Sequence, residues 1–423
     1  MKERRKLDAL KLSIDRQELK KLEERINRVL FDNILPFWLK YSRDEEKGGF
    51  WGRVSNENVP LRDAPKGLIL YSRILWTFSV LYQRFGEPAY LEMAERAWQY
   101  LDRYFWDEKY GGMFWLVDAN GTVMDDKKKM YGQAFTIYAL SAFYRIYNQP
   151  AILQKAIDLF ELMLKHNYDK QFGGFLETSG RDWTLVLDMR LSDQDLNSAK
   201  SMNTHLHIME AFTGFYQIWP ESVLRKQLRS VMEILIQKIF NPQTGHLNLF
   251  FKENWQSESK AVSFGHDIET SWLLQETFMM LHDSELEQPG REVALKLAKS
   301  TLMEGLTPNY AIYKERTDEG MLVPILEWWQ QAEATVGFAY AYLLSGRPEF
   351  WKAMVNTWQF LEEYLLNREY GEWYYGVDSK GRPNLNTYKV SEWKGPYHNV
   401  RACLELLKCL EKLRSTHNEL VSK

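Results

Sequence analysis

A fixed alternation of turn signals and helical segments, repeated along the chain, restricts what these 423 residues can fold into. Two punctuation marks recur. One is a Gly-Gly-aromatic turn: Gly48-Gly49-Phe50-Trp51, Gly111-Gly112-Met113-Phe114-Trp115 and Gly173-Gly174-Phe175, with looser versions at Gly245-His246-Leu247 and Gly371-Glu372-Trp373. The other is a proline in a short polar turn, at Pro88, Pro150, Pro220, Pro289 and Pro348. Proline suits the first turn of a helix, where its missing N–H would be unpaired anyway, so each proline marks an expected helix start. Self-similarity at such a period is the signature of an array of like units.

Between the marks, apolar residues recur at helical spacing. One set of segments is amphipathic, at 16–42, 89–106, 151–167, 222–240, 290–305 and 349–366. A charged face of this kind belongs to an outer layer. The other set is apolar nearly all round, at 67–84, 131–147, 201–218, 266–282, 328–344 and 398–413. Such helices are buried on every side. Outer and inner helices alternate in six hairpins, which predicts an all-α fold, a closed (α/α)6 barrel formed as one domain over residues 1–423. There is no βαβ alternation to support a parallel sheet.

The connections are unequal. Inner-to-outer links are short and carry the prolines. Outer-to-inner links are long, at 43–65, 107–130, 168–200, 241–264, 306–327 and 367–397, and hold the Gly-Gly turns and much of the tryptophan. Loops beyond about 15 residues in a compact domain are usually functional. The site is therefore expected at the barrel end where the inner helices begin.

Composition narrows the function. Lys plus Arg is 54 against 57 Asp plus Glu, a balance with no pull toward nucleic acid or an anionic membrane. The alternating charges of Met1 to Lys21 read as a solvated helix face. No apolar run spans a bilayer, and the start lacks the apolar core of a secretory signal. Cys403 and Cys409 fit neither a disulfide framework nor a zinc site and read as buried free thiols, so a cytoplasmic setting is expected. Aromatic content is 14%, with 16 Trp, and such rings stack on sugar faces while offering a polar edge.

Polar groups gather near the starts of the inner helices. Asn203 and His207 are four apart and share a helix face, which points His205 elsewhere. That geometry argues against a metal, and a hydrogen-bonded core histidine is the bland alternative for His205. His266 opens an inner helix with Glu269 one turn on, where the positive end of the helix dipole disfavours imidazolium. Trp329 and Glu333 are paired at spacing four, Arg73 lies inside the first apolar helix, and Trp393 precedes His398. Histidines supported by carboxylates, with no Rossmann or Walker fingerprint, suggest proton transfer at carbon without metal, nucleotide or other cofactor.

At these residues the chain resembles the cellobiose 2-epimerases of the N-acylglucosamine 2-epimerase superfamily, from about residue 28 to residue 412. The matching stretches are Lys66 to Trp76, Tyr131 to Phe135, Met202 to His207, Gly265 to Glu269, Trp329 to Glu333 and Trp393 to Arg401. The resemblance implies the six-hairpin α/α barrel. It also implies a cofactor-independent inversion at C2 of the reducing-end sugar of a β-1,4 disaccharide such as cellobiose, lactose or a mannobiose. By resemblance, His266 and His398 exchange the C2 proton on opposite faces, and Arg73 stabilises the enediolate oxygen. His207 assists ring opening, and Asn203 and Tyr131 bind the sugar. Glu269 and Glu333 orient the histidines or the substrate, and Trp329 and Trp393 wall the sugars. Within 178–200 only Trp183 fits the family pattern. Gly265-His266-Asp267 and Pro396-Tyr397-His398 favour the disaccharide branch over N-acylglucosamine 2-epimerase, whereas mannose isomerase shares the barrel and the histidines. A glycosidase using Glu269 and Glu333, or a sugar-binding protein without catalysis, are further alternatives that leave the histidines without a role.

Overall fold

The structure, a computed structural model, describes residues 14–421. Outer helix α1 runs through Arg16–Arg28, a π-helical segment Val29–Ile34 and Leu35–Tyr41. Inner helix α2 (Leu68–Phe85) follows, then outer α3 (Pro88–Tyr100), inner α4 (Met130–Tyr147) and outer α5 (Pro150–His166). The order continues with inner α6 (Met202–Tyr216), outer α7 (Ser222–Ile234) and inner α8 (Phe264–Leu281). Outer α9 (Ser284–Ser300), inner α10 (Trp328–Ser345), outer α11 (Pro348–Phe360) and inner α12 (Tyr397–Val421) complete it. Each inner helix packs against its two inner neighbours, and α12 meets α2, so the ring closes as an (α/α)6 barrel. Inner helices are buried on nearly every face, as expected of segments without a polar side.

Pro88, Pro150 and Pro348 stand at the first positions of α3, α5 and α11. Pro289 does not start a helix: α9 already begins at Ser284, where the Asp283 side chain caps the Glu285 amide. A capping Asp is the stronger start signal, and the proline is carried inside the helix at the loss of one donor. Of the charged start, residues 1–13 lie outside the described residues, and from Asp15 to Lys21 all side chains but Leu19 are exposed. Cys403 and Cys409 are free and buried. Among the described residues, no helix is long and apolar enough to cross a membrane.

The long links carry short strands that the all-helical expectation left out. Lys66–Gly67 pairs with Leu116–Val117, Lys128–Lys129 with Thr178–Ser179, Lys200–Ser201 with Phe250–Phe251, and Ile325–Glu327 with Gly376–Asp378. In each case the strand just before one inner helix pairs with the link of the next hairpin, which ties the links together around one barrel end.

Two further devices explain the repeated sequence. A lysine just before the inner helix is buried against an acid of its own link: Lys66 with Asp44 (2.8 Å), Lys128 with Asp107 (3.1 Å), Lys200 with Asp169 (2.6 Å) and Lys394 with Glu372 (2.8 Å). One turn into the helix, a side chain then clamps the backbone of the residue after the link's tight turn, which is the Gly-Gly turn in the first three hairpins. Tyr71 accepts from the Phe50 amide and donates to the Phe50 carbonyl. Gln133 holds Met113 and Gln331 holds Ile312 in the same way. His205 accepts from the Phe175 amide and Asp267 from the Leu247 amide. The glycines are steric requirements. Gly112 and Gly174 have φ of 78°, and a Cβ on either would lie 2.5 Å from the Trp183 or Trp255 ring packed on it.

Candidate active site

An α-helix turns about 100° per residue, so the residue two beyond a clamp points the opposite way, toward the barrel axis. Counting from the clamps Tyr71, Gln133, His205, Asp267 and Gln331, and from Asn399 in the last hairpin, gives Arg73, Phe135, His207, Glu269, Glu333 and Arg401. These six form one level around the axis. Four residues nearer the links, on the same faces, stand Tyr131, Asn203, Trp329 and Tyr397. His266 and His398 occupy one shared register in the fourth and sixth hairpins, the third and second residues of α8 and α12.

A cavity of about 150 Å³ opens over this level. Arg73, Tyr131, Asn203, His207, His266, Glu269, Trp329, Trp393 and His398 all line it, nine of the ten side chains singled out from the sequence. The tenth, Glu333, lies behind His398. Its Oε1 accepts from His398 Nδ1 (2.7 Å) and Arg401 Nη2 (2.6 Å), and its Oε2 from Trp272 Nε1 (2.9 Å). Trp328 and Tyr375 also line the cavity and were not anticipated. His205 and Trp183 lie outside it. The His205 Nδ1–H donates to the Ser201 carbonyl (2.7 Å), and Trp183 donates to the Tyr110 carbonyl (2.9 Å).

Three imidazoles are held by one nitrogen and leave the other open. His398 Nδ1 donates to Glu333 and His207 Nδ1 to Glu210 (2.8 Å), while His266 Nδ1 meets Ser263 Oγ (2.6 Å). No described residue hydrogen-bonds any of the three Nε2 atoms, so in the neutral His207 and His398 rings each Nε2 carries a free lone pair. The Trp329 ring lies against both His266 (centroids 4.7 Å apart) and His398 (5.8 Å). Arg73 donates to the Trp393 carbonyl and to Tyr131 Oη (3.2 Å), forms no ion pair among the described residues, and leaves Nε unpartnered. Asn203 Oδ1 is also buried without a partner. Buried polar atoms of this kind are the ones a bound hydroxyl satisfies.

Arg401 and Glu210 were also not singled out by sequence reading, and Arg401 is the hub of the site. It is 1% exposed and bonds Glu210, Glu269 and Glu333 together. Burial and the Glu333 charge push Glu269 well above the usual carboxyl range. Burial acts on Glu333 in the same sense, but Arg401 and His398 outweigh it and hold Glu333 at about 2. Glu269, Glu333 and His398 are also the one group of described residues whose ligand atoms, within 4.8 Å of one another, could share a metal ion. Arg401 Nη2 already bridges both carboxylates at 2.6 Å, so the cluster holds a cation of its own.

Burial, reinforced by its neighbours His207 and His398, pushes His266 down to about 3, and burial likewise pushes His398 to about 3 against the pull of Glu333. Both are thus free bases at neutral pH. Because the folded values lie below the ordinary ~6.5, the unfolded chain binds more protons between these limits, and stability declines as pH falls from about 6.5 toward 3. For activity, kcat/KM reports groups of the free enzyme. It is expected to stay level down to about pH 5, in initial rates taken with circular dichroism at each pH. An acid limb centred near pH 6.5 in a folded protein would contradict this.

A second, larger cavity of about 480 Å³ adjoins the first and shares Asn203, His266 and Trp329 with it. It runs outward between the link segments around Glu177–Ser198, Ser259–Ser263 and Lys314–Glu319.

The family pattern described as N-acylglucosamine 2-epimerase matches residues 49–402. Cellobiose 2-epimerase of Bacteroides fragilis is 38% identical over 387 residues, covering 91% of this chain and 98% of that protein. The enzyme of the same name from Dictyoglomus turgidum is 33% identical over 392 residues, 92% of this chain and 99% of that one. The solved cellobiose 2-epimerase of Bacillus thermoamylovorans superposes with a TM-score of 0.88 at 32% identity, over 92% of this chain and 99% of that one. A D-mannose isomerase at 20% identity and a TM-score of 0.80 shares the fold.

Proposed function

This chain belongs to the N-acylglucosamine 2-epimerase family and is a carbohydrate epimerase, and from that premise we propose that it inverts C2 of the reducing-end glucose of a β-1,4-linked disaccharide, with cellobiose as its type substrate. The observation that carries the reading is the joined pair of cavities. The smaller has room for one sugar ring beside the open Nε2 atoms, and the larger, reached past the shared Asn203, His266 and Trp329, has room for a second.

The chemistry follows from the side chains. With the sugar in its open-chain form, Nε2 of one histidine takes the C2 proton. The C–H electron pair becomes the C1=C2 bond, and the carbonyl pair moves onto O1. Arg73, with no carboxylate partner among the described residues to neutralise it, faces that developing charge. The second histidine, neutral in the free enzyme, gains its proton only within the complex, where the negative charge of the enediolate favours imidazolium, and delivers it from Nε2 to the opposite face of C2 as the carbonyl re-forms. His398 is the better carrier of positive charge, because an ionised Glu333 stands behind it and only a serine hydroxyl behind His266. His207, backed by Glu210, handles the hydroxyl proton during ring opening. Glu269, its carboxyl pushed upward by burial and by the Glu333 charge, lines the cavity as a hydrogen-bonding group.

The test is incubation with cellobiose in D2O, followed by NMR at C2. The expected result is deuterium at C2 and a growing mannose-end disaccharide. Release of glucose would point to hydrolysis, and the absence of any change would defeat the proposal.

Trp393 edges onto Trp115 (5.6 Å) and Tyr131 (6.0 Å) at the cavity wall and is half-buried. Its expected role is stacking on the sugar rather than core packing. Trp393→Ala should raise KM about tenfold, equivalent to ~1.4 kcal/mol, with little change in melting temperature. A large fall in melting temperature with unchanged KM would reverse the assignment.

A further inference from the structure

At the other end of the barrel, a separate cavity of about 280 Å³ lies between the later turns of the inner helices. At one water per ~30 Å³ it has room for several. Its walls are polar, with Tyr138, Thr213, Glu276, Thr277 and Lys408 among them, and it reaches the surface at exposed Gln83 and Gln217. Trp76 Nε1, buried at this wall, has no partner among the described residues, a donor that water in the cavity would satisfy.

Glu210 is the partition between this cavity and the catalytic one. It lines the lower cavity, while its Oε2 accepts the Nδ1–H of His207, which lines the upper. Tyr397 and Arg401 hold Oε1, so the carboxylate cannot swing away. A carboxylate buried in a barrel core is costly, and an apolar residue would divide the two spaces more cheaply. Its presence calls for a function.

We propose that the lower cavity is a solvent channel through which His207 exchanges its proton, by way of Glu210, while a bound sugar closes the upper cavity. The inference rests on the role given to His207 above. In ring opening, the C1 hydroxyl proton moves to Nε2, the O–H electron pair forms the C1=O bond, and C1–O5 breaks. The O5 electron pair then takes a proton back from Nε2. Between these transfers the ring is an imidazolium. It can pass its Nδ1 proton to Glu210 and lower water, and regain one by the same path. His207 is thereby kept in equilibrium with bulk solvent and is not trapped in the wrong charge state inside a closed site.

Thr213 stands on α6 one turn beyond Glu210 and lines the lower cavity, away from the sugar. The experiment uses Thr213→Cys in the full chain, treated with methyl methanethiosulfonate with and without saturating cellobiose, and the wild type treated alike to control for Cys403 and Cys409. Unmodified Thr213→Cys should retain wild-type kcat. Modification should proceed equally with the substrate bound, and should then lower kcat about tenfold or more at unchanged KM, at the low end of what one proton-transfer group contributes. Gln217→Cys, modified at the mouth, should keep its kcat. If Thr213→Cys misfolds, Thr277→Cys on the facing helix serves in its place. A thiol that stays unmodified in the folded protein, or one modified without loss of kcat, overturns the proposal. The labelling itself does not depend on turnover, so failure of the epimerase reading would show separately, as a wild type inert toward cellobiose.

Discussion

His266→Asn and His398→Asn should each abolish net epimerisation, a loss of at least ~10²–10⁴-fold. The two rings occupy the same register in hairpins four and six, lean on the same Trp329, and present open Nε2 atoms to one cavity. On the proposed reading they approach a single sugar from different sides, as inversion demands, since one face must lose a proton and the other gain one. The remaining histidine in either variant can still remove and return a proton on its own face. One variant should then wash deuterium from D2O into C2 of the glucose-end disaccharide alone, and the other into the mannose-end epimer alone. The measurement is C2 deuterium in each epimer separately, with folding followed by circular dichroism. Near wild-type epimer formation by either variant would falsify the two-base scheme and send the search to His207 or Glu269.

Arg401→Leu should be the most destabilising single change in the site. The guanidinium is buried and ties Glu210, Glu269 and Glu333 together, and no other cation bonds these three among the described residues. Removing one partner of a buried ion pair costs roughly 3–5 kcal/mol, because the other charge stays buried without compensation. With Glu210 and Glu333 both losing a partner, the upper part of that range is expected. The deficit should depend on pH with a defined sign. In the wild type Glu333 is held at about 2, below the ordinary carboxyl value, so its contribution is present above about pH 4.5 and lost as pH falls toward 2. The variant should thus lag most at neutral pH and least in acid. Urea midpoints at pH 7 and pH 4 test this. Equal deficits at both would show that lost packing, not uncompensated charge, is responsible. Activity should fall as well, because the Glu333 that orients His398 would no longer be anchored.

Much of this was open to sequence reading, and for physical reasons. A helix that is apolar on all faces has to be enclosed, and one with a charged face has to cover something, so the alternation of the two in six hairpins leads to a closed double-layered ring. Long links on one side only place the site at that end. Polar side chains such as Asn203, His207, His266 and Glu333 are costly inside such helices unless they have work to do there, which is why they stood out. The failures are equally physical. Pro289 competes with an Asp283 cap that proline spacing does not weigh. The Asn203–His207 spacing already turned His205 away from the site, and the clamp on Phe175 supplies its structural role.

The set of elements and the kinds of side chain each carries follow from the linear chain, because periodicity and apolar patterning are local properties. Arg401, two residues past Asn399, was legible only in the register of Arg73, His207, Glu269 and Glu333, and that register is defined by clamps visible only once the links are folded back. Which carboxylate meets which cation, which nitrogen of each histidine stays open, and where the axis is filled or hollow were decided by closure of the ring. Closure brings α12 against α2 and sets residues 210, 269, 333 and 401 around one point. Contacts between residues so far apart in the chain have no local signal, because the energy that selects them exists only when all six hairpins are in place.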